Sequence, residues 1–451
     1  MDQNTTNGDL ELQISSTPQT AYRISEQDLH DIWTWNATVP EAVDACVHDL
    51  IAERTAQQPD APAICAWDGD LTYHELDELS TRLAHQLVGL GVGPNVIVPL
   101  CFEKSMWTAV AMLAVMKAGG ASVAMDSSQP EERLRSIVQQ VEAELVLSSA
   151  ANQAMSKTLM AGNVIIVCRE NFDNVDNEKN ILPLPPTAKP LDLLYVVFTS
   201  GSTGTPKGAM ISHSNICSAI KHQQVSLGFM STSRVFDFVS YAFDISWSNI
   251  LHTFTCGGCL CIPSEHDRHE DIQGAMQRLR VNYAHLTPTV TRMLSAQDIA
   301  CLVTLAFIGE PVTTSDVAQY HSSEAHMLNT YGPAECTPVS TLATIVSTGQ
   351  SNLSIGNAYG ANAWIVNPID LDQLLPCGCV GELLLEGPIV GKGYFQDLEK
   401  TAQAFIEDPP WLLRGRAGNT GRRGRLYRTG DMVRYNYDGS LTFIGRKDAQ
   451  A

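Results

Sequence analysis

Residues 193–198 read Leu-Leu-Tyr-Val-Val-Phe and run without a break into Thr199-Ser-Gly-Ser-Thr-Gly-Thr-Pro-Lys-Gly208. A six-residue apolar run has the length of a strand buried on both faces, and such strands belong to parallel sheets covered by helices. The loop that follows narrows the choice further. Its glycines let the backbone approach an anion, while the hydroxyls of Thr199, Ser200, Ser202 and Thr203 and the ammonium of Lys207 can donate to its oxygens. The pattern predicts a strand, a phosphate-holding loop and then a helix over residues 212–223. It is not a Walker A loop, which ends in Gly-Lys-Ser/Thr, because Pro206 precedes Lys207 and Gly208 follows it. A run of Ser, Thr and Gly can also be a flexible connection, so the loop alone leaves both readings open.

The rest of the chain follows the same α/β logic. Val43, Cys46, Val47, Leu50 and Ile51 repeat at helical spacing, and buried strands are expected at residues 97–101, 122–125 and 145–147, with helices over 106–117 and 130–141 between them. A polar, proline-containing stretch, 171–190, separates this series from a second one with strands at 235–239, 259–262, 283–286, 303–308 and 327–329. After about Ser354 the runs become short and closely spaced, at 363–366, 381–386, 432–435 and 441–444, with Gly, Pro and Asp between them. The expected fold is α/β: two layered lobes over 24–353, then a small antiparallel β-barrel over 354–447, preceded by a disordered leader, 1–23.

Composition sets limits on function. With 451 residues, 44% hydrophobic and 17% charged, the chain can bury a large core. The net charge of -20 opposes non-specific binding to nucleic acid or an anionic membrane, so neither is an expected partner. The polar start lacks the basic and apolar regions of a secretory signal, which makes a cytoplasmic location the expectation. Arg414, Arg416, Arg422, Arg423 and Arg425 form a basic cluster in a Gly-rich stretch, read as a solvated loop. Cys256 and Cys259 with Cys377 and Cys379 can be drawn as a zinc site, but the first pair fits a turn into a buried strand and the second a hairpin turn, so packing is the preferred reading.

Eight motifs occur in a fixed order: Leu71-Thr-Tyr-His-Glu-Leu76, Met116-Lys-Ala-Gly-Gly-Ala121, the Ser/Thr/Gly loop, Phe243-Asp-Ile-Ser246, Asn329-Thr-Tyr-Gly-Pro-Ala-Glu335, Gly381-Glu-Leu-Leu-Leu385, Tyr427-Arg-Thr-Gly-Asp431 and Gly445-Arg-Lys-Asp448. Together they resemble the adenylate-forming superfamily, specifically the amino-acid-activating adenylation domain of nonribosomal peptide synthetases, from about Val43 to the end. The resemblance implies an N-terminal core whose mobile C-terminal subdomain would follow a hinge at 448–451. It also implies carrier-protein and condensation domains as partners in a parent enzyme.

The implied reaction joins an amino-acid carboxylate to the α-phosphate of ATP, giving an aminoacyl-AMP and pyrophosphate. By resemblance, Thr199, Ser200, Ser202, Thr203 and Lys207 hold phosphates, Glu335 binds Mg²⁺, and a carrier domain supplies phosphopantetheine. Asn329, Thr330 and Tyr331 fall at the adenine, Asp431 at the ribose hydroxyls, and Arg446 at a ribose or hinge-side contact. Asp244 is expected to pair with the substrate ammonium, with Phe243 closing over the carboxylate end. Ile245, Ser248, His285, Ala306, Ile308, Thr330, Pro338 and Val339 complete the substrate wall, and this composition favours a neutral side chain. The alternatives are an acyl- or aryl-acid CoA ligase, which needs no counter-ion at Asp244, and a nucleotide-binding module without catalysis.

Overall fold

Three sheets take up the apolar runs of the chain. The computed structural model describes residues 23–173, 188–199, 206–321, 323–345, 354–416 and 418–447. The segments 1–22 and 448–451, on which most of the expected leader and the hinge fall, lie outside the described residues, as do Ser200, Ser202 and Thr203.

The first sheet has seven strands, in the spatial order Gly393–Tyr394, Lys207–Ser212, Leu193–Thr199, Ala121–Asp126, Ile97–Phe102, Leu145–Ser148 and Asn163–Ile166. Its last five strands are parallel. The chain after the Ser/Thr/Gly stretch differs from expectation: Lys207–Ser212 forms a hairpin with Leu193–Thr199, running back antiparallel to it before helix His213–Gln223 begins. The physical reason is visible in Lys207-Gly-Ala-Met-Ile-Ser212, whose Gly208, Ala209 and Ile211 are buried while Lys207 and Met210 are partly exposed. These residues lie against the apolar run before the loop, from Ile211 on Tyr195 to Gly208 on Phe198, and that pairing holds them as a strand. Ser212 then caps the helix, accepting from the Asn215 amide while the Asn215 side chain accepts from the Ser212 N–H.

The second sheet has nine strands, in the order Asn357–Ala358, Thr341–Thr344, His326–Tyr331, Thr304–Phe307, Tyr283–Leu286, Arg234–Phe236, Cys259–Ile262, Pro62–Ala66 and Gly69–Thr72. Strands from His326–Tyr331 to Pro62–Ala66 are parallel. Helices lie between the two sheets. Met106–Lys117 is apolar on every side and nearly all of it is buried, as a helix between two sheets must be. A single apolar cluster joins Leu100 and Tyr195 of the first sheet to Ile64 and Leu260 of the second through Leu83, Met112, Ile216 and Leu251 of the helices. The expected layered α/β lobes are present.

The third sheet is antiparallel, in the order Asn362–Val366, Gly381–Glu386, Arg425–Tyr435 and Phe405–Glu407, with Leu441–Arg446 also on Arg425–Tyr435. Among the described residues no strand pair closes it into a ring. An early helix, Glu26–Trp35, packs on it: Trp33 meets Trp364 edge-on at 5.0 Å, and Trp364 lies 4.8 Å from Trp411.

The arginine cluster is mostly structural rather than a solvated loop. Arg422 binds both Glu386 oxygens and lies over the Trp33 and Trp364 rings, Arg416 pairs with Glu26, and Arg425 donates to the Gly391 and Lys392 carbonyls. Arg414 and Arg423 are exposed, the latter beside Asp408. The four cysteines drawn as a zinc site do not converge among the described residues, where all twelve thiols are free. No helix among the described residues is long and apolar enough to cross a membrane.

Candidate active site

Where the three sheets meet, a cleft of about 550 Å³ collects Thr199, Lys207, Glu335, Arg446, Lys400 and Arg428, with Tyr394 and Lys447 also on its wall. Lys207 opens the return strand of the hairpin, so its side chain is held at the end of a sheet and not on a free loop. Four other cations line the cleft, and each is already paired: Lys400 with Asp397, Arg428 and Lys447 with Glu382, and Arg446 with Asp431. Among the described residues Lys207 makes no salt bridge; its ammonium lies 5.4 Å from the centre of the Tyr394 ring. It is the cation with charge to spare for an incoming anion.

Glu335 sits in a single 3₁₀ turn, Ala334–Cys336, directly after the Tyr-Gly-Pro bend. That bend needs glycine, because a Cβ on Gly332 would stand 2.0 Å from the Pro338 carbonyl oxygen. The Tyr394 hydroxyl donates to Glu335 Oε1 at 2.7 Å, and the Gly391 amide to the Glu335 carbonyl at 2.8 Å. Burial, then the Glu335 carboxylate, hold the Tyr394 phenol well above its usual pKa, so it remains a donor. Oε2 has no hydrogen bond within the described protein. A carboxylate with one oxygen fixed and the other facing a cleft suits a hard divalent cation such as Mg²⁺.

Behind the cleft, Tyr331 donates to Asp431 Oδ2, and Arg446 donates to Asp431 Oδ1 at 3.0 Å and to the Thr429 carbonyl at 2.9 Å. Asp431 thus has both oxygens engaged, and ribose hydroxyls would have to displace or share these donors. Tyr331 faces Phe443 at 6.2 Å. The Asn329 side chain donates to the Ser354 carbonyl at 2.9 Å, and Thr330 to the Phe307 carbonyl at 2.7 Å. Both are therefore committed to the protein through their donors.

Asp244 opens helix Asp244–Cys256, with the exposed Phe243 as its cap residue. Its Oδ1 accepts from the Ile245 amide at 2.8 Å, and among the described residues no cation pairs with it. Although part of the side chain is accessible, burial pushes its pKa up to about 7, and the Glu335 carboxylate adds to the rise against the Ile245 donor. This is an acid in search of a positive charge. Ile245, Ala306, Ile308 and Val339 lie in one buried cluster with Phe229, Tyr283 and Leu328. His285 is fully buried, and Ser248 nearly so. Pro338 enters through its carbonyl, packed against Gly332.

Sequence reading missed several groups. Tyr394 lies in Gly391-Lys-Gly-Tyr394, where a tyrosine among glycines is the only signal; Arg428 stands inside the Tyr427-Arg-Thr-Gly-Asp431 motif without an assigned role, and Lys400 carries no signal, because its place depends on tertiary pairing. Asn249 and His252 could have been found from the helix period, since 245, 248, 249 and 252 fall on one face, and Tyr283 from the strand period, two residues before His285.

The chain matches the family described as AMP-binding enzyme over residues 51–395. It is 54% identical over 445 residues to nonribosomal peptide synthetase ungA' of Aspergillus campestris, covering 97% of this chain and 5% of that protein. It is 49% identical over 427 residues to peramine synthetase A of Epichloe festucae, covering 94% of this chain and 15% of that one. The chain therefore spans a small part of these relatives. Among solved structures, a nonribosomal peptide synthetase, FmoA3, bound to α-methyl-L-serine-AMP superposes with a TM-score of 0.83 at 22% identity, over 95% of this chain and 48% of that one. The N-terminal subdomain of Klebsiella oxytoca NpsA, in complex with 3-hydroxybenzoyl-AMSN, gives 0.77 at 24% identity, over 89% of this chain and 100% of that one. The chain belongs to the AMP-binding enzyme family and is an adenylation domain of the kind found in nonribosomal peptide synthetases.

Proposed function

We propose that this domain activates a neutral α-amino acid with ATP, forming an aminoacyl-AMP that is later loaded as a thioester onto a carrier domain. The observation that carries the amino-acid reading is Asp244: a carboxyl with no cation beside it among the described residues, raised to about 7 by burial and directly preceding Ile245 of an uncharged buried cluster. An α-ammonium group supplies the missing charge. A fatty or aryl acid does not.

In this reading a carboxylate oxygen of the amino acid attacks the α-phosphorus, the bond from that phosphorus to its bridging oxygen breaks, and pyrophosphate leaves with the electron pair. Both reactants are anions, so the work of the site is to place them and to neutralise charge. Lys207 and Thr199, with Ser200, Ser202 and Thr203 of the loop, would hold the β- and γ-phosphates. Glu335, oriented by Tyr394, would hold Mg²⁺, which neutralises phosphate charge when bound. Asn329, Thr330 and Tyr331 stand on the strand assigned to the adenine, and Asp431 and Arg446 on the ribose side. The phosphopantetheine arm comes from a carrier domain, and condensation domains act on the loaded amino acid; both are expected in the parent synthetase. Asp, Glu, Lys and Arg should be poor substrates, because the pocket offers no second counter-charge.

The test is pyrophosphate exchange by the full-length parent enzyme across panels of amino acids and of simple carboxylic acids. Exchange confined to carboxylic acids would replace this reading with an acyl- or aryl-acid ligase, and ATP binding without any exchange would leave a nucleotide-binding module.

A further inference from the structure

Helix Asp244–Cys256 turns one face toward strand Tyr283–Leu286, and that face carries polar atoms with nothing to bind. Ser248 Oγ, Asn249 Nδ2 and His252 Nδ1 on the helix, with the Tyr283 hydroxyl and His285 Nε2 on the strand, are buried without a hydrogen bond among the described residues. All five side chains are at most 1% exposed. Leaving such atoms unpaired is costly, and buried polar groups are rarely left so. Ile245 begins the same face, one residue after Asp244, so the unpaired atoms continue inward from the position proposed for the substrate ammonium.

The chemistry of one of these atoms follows from its neighbour. His285 Nδ1 lies 2.6 Å from Asn249 Oδ1. A carboxamide oxygen only accepts, so Nδ1 carries the hydrogen and Nε2 carries the lone pair. Burial, with His252 beside it, lowers the His285 pKa to about 3, which keeps the ring neutral. The ring is also held sideways, 5.3 Å from Tyr283 and 6.3 Å from Phe229, and Phe229 is stacked between His252 and Tyr283. His285 Nε2 is thus an oriented acceptor without a donor. Asn249 Nδ2 is a donor without an acceptor, and Ser248 Oγ can serve as either.

We propose that Asn249 is a positioning residue for substrate choice: by fixing His285 with its Nε2 lone pair left free, it makes the site select an amino acid whose side chain carries a neutral donor and acceptor, a hydroxyl or a carboxamide, over a hydrocarbon side chain of the same size. The inference rests on the amino-acid-adenylating reading above and sharpens it. A pocket that hydrogen-bonds its substrate rejects the analogue lacking the group strongly, because the protein's own polar atoms are then left unpaired, whereas an apolar pocket separates isosteres weakly.

Binding to this chain of aminoacyl sulfamoyl-adenosines, measured by calorimetry, tests the idea without requiring turnover. Four matched pairs suffice: threonyl and valyl, homoseryl and norvalyl, asparaginyl and leucyl, glutaminyl and homoleucyl. The tightest ligand should be a donor-bearing member, at least about tenfold tighter than its partner. Asn249→Leu should shrink that ratio to within about threefold, whereas a merely structural defect would weaken both members alike and leave the ratio unchanged. The proposal is overturned if the tightest ligand has a hydrocarbon side chain, or if the wild-type ratio for the best pair is already within threefold, which would mean that trapped water satisfies these atoms. If none of the eight binds while an aryl-acyl sulfamoyl-adenosine does, the amino-acid reading itself falls, and this inference with it.

Discussion

Asp244 gives the sharpest quantitative expectation. Its carboxyl is raised from an ordinary 3.8 to about 7 in the ligand-free protein, so at pH 6 about nine-tenths of it is protonated. In the proposed function only the ionised form receives the substrate ammonium, and bringing in that cation returns the pKa to the carboxylate range. Amino-acid binding at pH 6 should therefore release about 0.9 proton, falling to about 0.1 at pH 8. Affinity should drop about 90-fold between pH 8 and pH 5, most of it below pH 7. His252 and His285, held near 3, are neutral across this window and add nothing.

The same shift acts on stability with a defined sign. A carboxyl whose folded pKa exceeds its unfolded value destabilises the fold above the unfolded pKa, and the full cost is reached once pH exceeds about 7. Three units correspond to about 4 kcal/mol, and partial access to solvent reduces this to about 2. Asp244→Asn should accordingly stabilise the ligand-free chain at pH 8, leave its stability at pH 4 nearly unchanged, and weaken amino-acid binding at pH 8. Calorimetry in two buffers of different ionisation enthalpy counts the protons, and denaturant titration gives the stabilities. Proton release near zero at pH 6, or an Asn variant no more stable at pH 8 than the wild type, would refute the account of Asp244 as an uncompensated buried acid.

Three further outcomes follow from other contacts. Lys104 is fully buried against Asp237 at 2.8 Å, with the Tyr241 hydroxyl on the second Asp237 oxygen, so Lys104→Met should cost about 3–5 kcal/mol in urea denaturation, and adding Asp237→Asn should recover much of it. Tyr394→Phe removes the donor to Glu335 Oε1 and should raise the Mg²⁺ concentration for half-maximal pyrophosphate exchange by about tenfold, the worth of one hydrogen bond to a charged group. Trp33→Ala empties the ring contact with Trp364 and should cost about 3–5 kcal/mol, seen as faster hydrogen exchange in Asn362–Val366 and Gly381–Glu386 but not in the seven-stranded sheet.

Strand runs such as Leu193–Thr199 and helices such as Met106–Lys117 were legible because a two-sided burial leaves a continuous apolar signature. Pairing partners were not. Pro62–Ala66 and Gly69–Thr72 join the far edge of the sheet formed mainly by strands more than 160 residues later, and no local pattern encodes that choice. Lys207–Ser212 is short and polar at both ends, so helix capping signals at Ser212 masked the strand before them. The site shows the same division. Motif order singled out Asp244, Glu335 and Asp431 as candidates, but the Tyr331 and Arg446 bonds that occupy Asp431, and the Asn249 bond that orients His285, arise from contacts across 15 to 100 residues of chain.

Gly393–Tyr394 has an engineering consequence. This two-residue strand comes from the C-terminal third of the chain yet pairs with Met210 and Ala209 in the seven-stranded sheet, and its tyrosine reaches Glu335. A recombination seam drawn between the large α/β portion and the small sheet would separate Tyr394 from both partners, although the cut would look clean along the sequence. Chimaeras between related domains should keep residues 207–212, 335 and 391–394 from one parent, and libraries that shuffle blocks at about residue 354 should yield active members mainly where the two parents already agree at these positions.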